Sequence, residues 1–356
     1  MFSKITLFHA NELHTIEFKP EKTYLLMVAQ GCDVSTLTFG SPLTHVYTIT
    51  TPAVIWQSAL HHDALLCCEL SLTSEIIFCR SEKDASPDTI LKSRTVMMFV
   101  HWLDPKIYRY IDKLFNLTPE DATIMGIGCG RTDGVELPAI TYNANALENG
   151  FLILFATNTS TVGSAHGSDF HSGFFIAHTE NSNRIVTING EKAFPFYQKL
   201  IQAQFNEVLT PETIFSIGLK YPFGLGSVQG QQALRVPVGV ENESIIVAGP
   251  MDEEVMLCLM RSTPGGLLKA PFVAMDAATV NTKALLGKEC FIIECVGREQ
   301  LLGENFTQEL QAIAHEMHNT SSIYGVLSLG EIANNAARYI EYFNESCVIG
   351  VIDAAQ

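Results

Sequence analysis

The sequence predicts an α/β to α+β protein of two lobes, each a layered sandwich of mixed or antiparallel sheets covered by helices, with weak internal repeats. Three observations carry that expectation. Apolar runs of strand length, such as Tyr24 to Ala29 and Cys290 to Val296, recur along the chain. Stretches of helical periodicity separate some of them. The 356 residues also exceed what one ordinary hydrophobic core serves, so two domains are expected.

The elements follow in order. Two stretches look like weak copies of one unit, a strand leading through a connection to a second strand and then a third: Tyr24 to Leu70 and Val96 to Ala156. In the second copy Val96 to Val100 is a strand. Asp104 and Pro105 supply an N-cap and a first-turn proline, and Ile107, Tyr110, Ile111 and Leu114 recur at helical spacing. Thr123 to Ile127 and Phe151 to Ala156 return as strands, which makes this a β-α-β unit. The polar stretch Ser81 to Ser93 reads as a linker. Ala193, Phe196, Tyr197, Leu200, Ile201 and Phe205 share one face of a helix that ends before Thr210-Pro211, and the domain boundary is placed near it. Leu234 to Val240, Ser244 to Ala248 and Val255 to Met260 read as an antiparallel meander. Strand Cys290 to Cys295, helix Phe306 to Met317, strand Tyr324 to Leu327 and strand Cys347 to Ile352 complete the chain.

Composition excludes several classes of function. Only 17% of residues are charged and 47% are hydrophobic, which rules out extensive disorder. A formal charge of −16 without a local Lys/Arg cluster repels nucleic acid and anionic membranes. No apolar run reaches the roughly 20 residues of a spanning helix. The amino terminus lacks the features of a secretion signal. Nine irregularly spaced cysteines, with Cys67 and Cys68 adjacent, do not form a disulfide pattern, so a reducing cytoplasm is the expected compartment.

No motif completes a catalytic or cofactor-binding constellation. Gly126, Gly128 and Gly130 leave a strand without a helix beginning there, so they read as a strand-to-loop exit rather than a phosphate cradle. Gly224, Gly226 and Gly230 are weaker still. His315 and His318 lie three apart instead of the zincin four and lack a third ligand; with His61, His62, His166 and His171 they read as exposed histidines, and neither metal nor cofactor is expected. Ser328 misses the nucleophile elbow because glycine stands three residues before it. Cys295 and Cys129 are the candidate nucleophiles of an alternative, thiol-dependent enzyme acting on a small molecule, against the plainer reading of small buried residues. Arg235, Arg298, Glu331 and Asn344 stand next to strand ends, and Cys295 closes one such strand. These five are the candidate ligand-binding residues, with Arg taking a carboxylate in bidentate fashion and Glu an amine. Salt bridging among the same residues is the competing reading.

The stretches Phe291 to Arg298, Gly325 to Ile332 and Tyr342 to Ser346, in that order, resemble the carboxy-terminal domain of the FIST family (F-box and intracellular signal transduction). The segments Ile185 to Ala193 and Met125 to Gly130 extend the resemblance across roughly Val96 to Ile352. Ser346 stands where relatives carry Thr, and the amino-terminal glycine-rich pattern is not recognisable around Thr48 to Val54. The resemblance implies a FIST N-like domain over residues 1–200, with a degenerate repeat at 1–80 and a clearer one at 95–190, and a FIST C-like domain over 201–356. It further implies a non-catalytic, stand-alone sensory module that binds a small ligand, an amino acid among the candidates, or docks a signalling protein.

Overall fold

In the computed structural model, residues 1–39, 41–80, 92–226, 232–280, 284–334 and 339–354 are described. Three stretches of chain adopt the same unit. In the first, β2 (Thr23–Ala29) runs parallel to β3 (His45–Thr51), and β6 (Ala64–Leu70) returns antiparallel on the other side of β2. In the second, β8 (Thr95–His101), β9 (Thr123–Cys129) and β12 (Phe151–Ala156) repeat the arrangement. The third, β22 (Lys288–Cys295), β23 (Ser322–Ser328) and β26 (Cys347–Asp353), repeats it again. The registers correspond: Ala29 faces Thr51, His101 faces Cys129, and Cys295 faces Ser328. The repeat legible twice in the sequence thus occurs three times.

An outer strand preceding each unit pairs with its third strand: β1 (Phe2–His9), β7 (Ser74–Cys79) and β13 (Ser160–Ala165). The strands between each second and third strand are then exchanged around a ring. The first unit's β4 (Val54–Trp56) and β5 (Ala59–His61) extend the third unit's sheet through β23. The second unit's β10 (Ile140–Tyr142) and β11 (Asn145–Ala146) extend the first through β3. The third unit's β24 (Glu331–Asn334) and β25 (Ile340–Phe343) extend the second through β9. Three six-stranded sheets result. Exchange covers the edge of each second strand with a neighbour's hairpin, so that end of every sheet is closed by a short strand, β5, β11 or β25, which offers little edge to template aggregation.

The central strands read as apolar runs because both of their faces are covered. Leu25, Met27, Met97, Phe99, Phe291 and Ile293 point into one core shared by the three sheets. Their neighbours point outward: Val96, Met98 and Val100 pack under α1 (Ile107–Leu117), and Cys290 and Ile292 under α5 (Ala270–Thr279) and α7 (Phe306–Glu316). The sequence places the α1 cap at Asp104; the helix begins at Ile107, and Asp104 instead accepts the Lys106 amide through Oδ1 at 2.8 Å. Residues 81–91 of the expected linker lie outside the described residues.

Between β13 and β22 the third unit carries a long insertion built on a fourth, antiparallel sheet. Its strands are β14 (Asp169–Glu180), β15 (Arg184–Ile188), β16 (Glu191–Lys192), β17 (Phe223–Leu225), β18 (Leu234–Arg235), β19 (Pro237–Glu241), β20 (Ser244–Val247) and β21 (Glu254–Arg261). The order β18-β17-β21-β14-β15-β20-β19 sets β18 and β19 at opposite edges, yet only Val236 separates them in the chain. The sheet therefore rolls up. It wraps α2 (Ala193–Phe205), whose Ala193, Tyr197 and Ile201 bury against Ile185, Ile245 and Leu259, and α3 (Ile214–Lys220), whose Ile214 and Ile217 join the same core. The expected meander is corrected here: β19 and β20 form a hairpin, but β21 pairs with β14 and β17. Its partner β14 lies some eighty residues upstream, beyond the reach of local turn signals. Pairing also links chain on either side of residue 200 in three sheets, through β13 with β26, β24 with β9 and β14 with β21. No helix among the described residues is long and apolar enough to cross a membrane.

A buried carboxyl cluster beneath an open groove

The parallel strands β22 and β23 end side by side at Cys295 and Ser328, the carboxyl-end position where α/β sheets commonly bind ligands. The chain continues from β22 into α6 (Val296–Leu302), which carries Arg298, and from β23 through Gly330 into β24, which opens with Glu331. The insertion roofs this point with His166, Ser262 and α4 (Pro264–Leu267).

Arg298 is fully buried, and all five of its N–H donors have acceptors. Nε reaches Glu294 Oε2 at 2.9 Å and Nη2 reaches Glu309 Oε2 at 2.6 Å. The carbonyls of His166 (3.0 Å), Leu267 (3.0 Å) and Glu345 (3.4 Å) take the rest. Burial opposes its charge, but Glu294 and Glu309 outweigh burial and hold the guanidinium above its ordinary range. Burial, then repulsion from Glu294, pushes Glu309 up to about 8, and burial also raises Glu294. One cation between two carboxyl groups is neutral when one of them keeps its proton, which is the state a dry interior favours.

Two further carboxyls complete the cluster. Glu331 accepts the Ser328 hydroxyl through Oε1 and the Ser346 amide through Oε2 at 3.2 Å, with the Cys295 thiol alongside; burial raises it to about 8. Glu345 sits at a φ of +52°, a left-handed conformation unusual for a side chain this size. Its Oε2 accepts the Ser262 hydroxyl at 2.8 Å, its Oε1 has no partner, and burial raises it to about 8. Asn344 Oδ1 is also buried without a partner. Burial, then Arg298, lowers His166 to about 4, so its imidazole is neutral.

The cluster communicates with the surface. Ser262 Oγ lies 2.9 Å from Ser168 Oγ, and Ser168 lines an open groove of about 590 Å³ between Gly167, Asp169, Thr263, Gly266 and Lys269. Both walls of the groove, residues 165–169 and 263–273, are tied to Arg298 through the carbonyls of His166 and Leu267.

Of the five residues singled out in the sequence, Cys295, Arg298 and Glu331 converge here, and Asn344 adjoins Glu345. Arg235 lies apart: it bonds the carbonyls of Pro250 (2.7 Å), Leu234 (2.7 Å) and Tyr342 (3.0 Å) and the Tyr108 hydroxyl (2.7 Å). The Tyr342 ring stands in the field of both Arg235 and Glu331. That ring also explains the glycines. A Cβ at Gly128 would stand 2.8 Å from the Tyr342 hydroxyl, one at Gly249 2.9 Å from its ring, and one at Gly330 would overlap the hydroxyl outright. At the glycine-rich strand exit Gly128 makes room for this buried tyrosine, whereas Gly126 abuts the Met98 carbonyl and Gly130 the Trp102 ring. Arg298 does form salt bridges, but with Glu294 and Glu309 rather than with another of the five candidate residues.

Sequence reasoning missed Glu294, Glu309, Glu345, Ser262 and Ser168, and it placed His166 on an exposed loop although only 3% of it is exposed. Two signals were available. Glu294 is a charge inside an apolar strand four residues before an arginine, and Glu309 sits on the apolar stripe of α7, three after Phe306 and four before Ile313. The thiols of Cys295 and Cys129 are buried, and burial raises both well above the ordinary range, the reverse of what a thiolate nucleophile requires. His318 Nδ1 turns back to the His315 carbonyl at 2.6 Å. No group of metal-holding side chains occurs among the described residues.

Compared with known families, residues 193–334 match the FIST C domain, a segment running from α2 through the roof of the cluster to β24. A comparison with curated proteins finds no match.

Proposed function

We propose, from the premise that residues 193–334 of this chain are a FIST C domain, that the protein is a sensory module of cytoplasmic signal transduction that binds a small polar ligand without turning it over. FIST C domains are associated with signal transduction and sensing. The observation that carries the ligand reading is the stapling of both groove walls to Arg298. A molecule that changes the spacing of residues 165–169 and 263–273 alters the bonds of a guanidinium that also holds Glu294, Glu309 and the turn at Glu345. A surface event is thereby felt at the carboxyl ends of β22 and β23. Amino acids suit the groove's rim, where Asp169 and Lys269 offer opposite charges. The cytoplasmic setting is supported by nine buried cysteines that form no disulfide.

The test is a thermal-shift screen against amino acids, nucleotides and common metabolites. A compound at about a hundred times its dissociation constant stabilises the fold by roughly 2.7 kcal/mol. Gly265 lines the groove and a Cβ there meets nothing within 4 Å, so Gly265→Trp is designed to place a bulky ring at the groove with no clash at its Cβ. The reading predicts a specific shift that Gly265→Trp abolishes. A shift that survives in this variant, or no shift with any compound, overturns it.

Docking of a signalling protein is the second reading. It is favoured by Phe174, Ile176 and Met256, which leave an exposed apolar strip on the outer face of β14 and β21. Ile176→Glu would then abolish partner binding and leave the ligand response unchanged.

A further inference from the structure

The hydroxyl chain from the groove to Glu345 has only two self-consistent directions. Ser168 Oγ, Ser262 Oγ and Glu345 Oε2 are spaced 2.9 and 2.8 Å apart, and each hydroxyl has one proton to donate. When Glu345 is ionised it can only accept, so Ser262 donates to it, Ser168 donates to Ser262, and Ser168 turns a lone pair toward the groove. When Glu345 is protonated, the position of its proton is decided by the orphaned oxygen. Oε1 has no acceptor within reach, whereas Oε2 faces Ser262. The proton therefore sits on Oε2 and is donated to Ser262, Ser262 donates to Ser168, and Ser168 turns its O–H toward the groove.

We propose that Glu345 is the specificity-determining group of the groove: protonated, it makes Ser168 a donor that favours a ligand carboxylate, and ionised, it makes Ser168 an acceptor that favours a ligand ammonium group. The proposal rests on the groove being the ligand site. Glu345 is faced by Arg298 from α6, by Glu331 from β24, by Cys295 from β22, by Tyr197 from α2 and by Ser262 after β21, with Glu294 and Glu309 on the far side of Arg298. Burial sets its titration near 8, so the switch falls within an accessible pH range. Among the described residues no other hydrogen bond links the groove to the Glu345 carboxyl. Glu331 reaches Ser328 and Ser346 instead, and Glu309 reaches Arg298.

The experiment uses two probes of matched carbon count and opposite charge, butyrate and n-butylammonium, titrated into the full chain at about pH 6 and about pH 9, where both probes keep their charge. Binding is followed on the methyl resonances of Val273, which lines the groove. With a titration near 8, the fraction of protonated Glu345 falls about tenfold over this range, so butyrate weakens about tenfold, while butylammonium tightens more than tenfold. Ser262→Ala cuts the chain and Glu345→Gln removes its titration; both remove the crossing, and the dispersion of the Val273 resonances shows that each variant is folded. Parallel responses of the two probes in the wild type, or a crossing that persists in Ser262→Ala, overturn the role of Glu345 while leaving the groove reading intact. If neither probe moves the Val273 resonances at either pH, both the groove reading and this proposal fail.

Discussion

Replacing Arg298 by Met tests the central feature of the cluster, because the side chain is of similar length but brings no charge and no donor. The arginine supplies five hydrogen bonds, two of them to the carboxylates of Glu294 and Glu309 and three to carbonyls that hold the roof and the Glu345 turn. Removing one partner of a buried ion pair leaves the other charge uncompensated and costs about 3–5 kcal/mol. For a chain of this size that is a fall of roughly 4–7 °C in melting temperature. The loss must also depend on pH. Without the guanidinium, Glu294 is driven to hold a proton in the folded state, so the variant binds more protons on folding than the wild type does, and its deficit widens as pH rises. Urea midpoints for both proteins at about pH 5.5 and about pH 8.5 give the difference directly. A deficit below about 1 kcal/mol, or one that is the same at both pH values, would show that the cluster is not organised around this charge.

Other perturbations follow from the same geometry. Glu331 has a folded-state pKa of about 8 against an ordinary 4.5, so its contribution is fully present below the ordinary value and is lost as pH climbs through 8; Glu331→Gln should flatten the decline of stability with pH by up to about 1.4 kcal/mol per unit, read from urea midpoints across that window. Gly330→Ala drives a Cβ into the Tyr342 hydroxyl and should destabilise by at least about 2 kcal/mol, whereas Gly265→Ala, in open space, should stay within about 0.5 kcal/mol; similar melting temperatures for the two would contradict the packing account. Native protein should react slowly with iodoacetamide at neutral pH and quantitatively in denaturant, since all nine cysteines are buried; rapid labelling of Cys295 or Cys129 would revive the thiol enzyme. Tyr108→Phe deprives the buried Arg235 of the one side-chain acceptor it has among the described residues and should cost about 1.5–3 kcal/mol, measured by denaturation.

By itself the sequence determined the local elements: the strands β2, β8, β9, β12, β22, β23 and β26 and the helices α1, α2 and α7 are legible from apolar runs and helical stripes, because burial on one face or two leaves its period in the residue order. The repeat was legible twice. Its third copy is obscured because the insertion, with its rolled sheet, falls between β13 and β22. Cys295, Arg298 and Glu331 were legible as a group because each stands where a strand ends, and the order of the chain marks such ends. The tertiary structure alone decided the rest. The ring exchange of β4, β10 and β24, the pairing of β21 with β14, and the placing of Arg235 against Tyr108 and Pro250 rather than in the carboxyl cluster depend on contacts between residues far apart in the chain, which leave no period to read. So does the junction of Ser168, Ser262 and Glu345, contributed by segments that meet only when the insertion folds back over the carboxyl ends of β22 and β23.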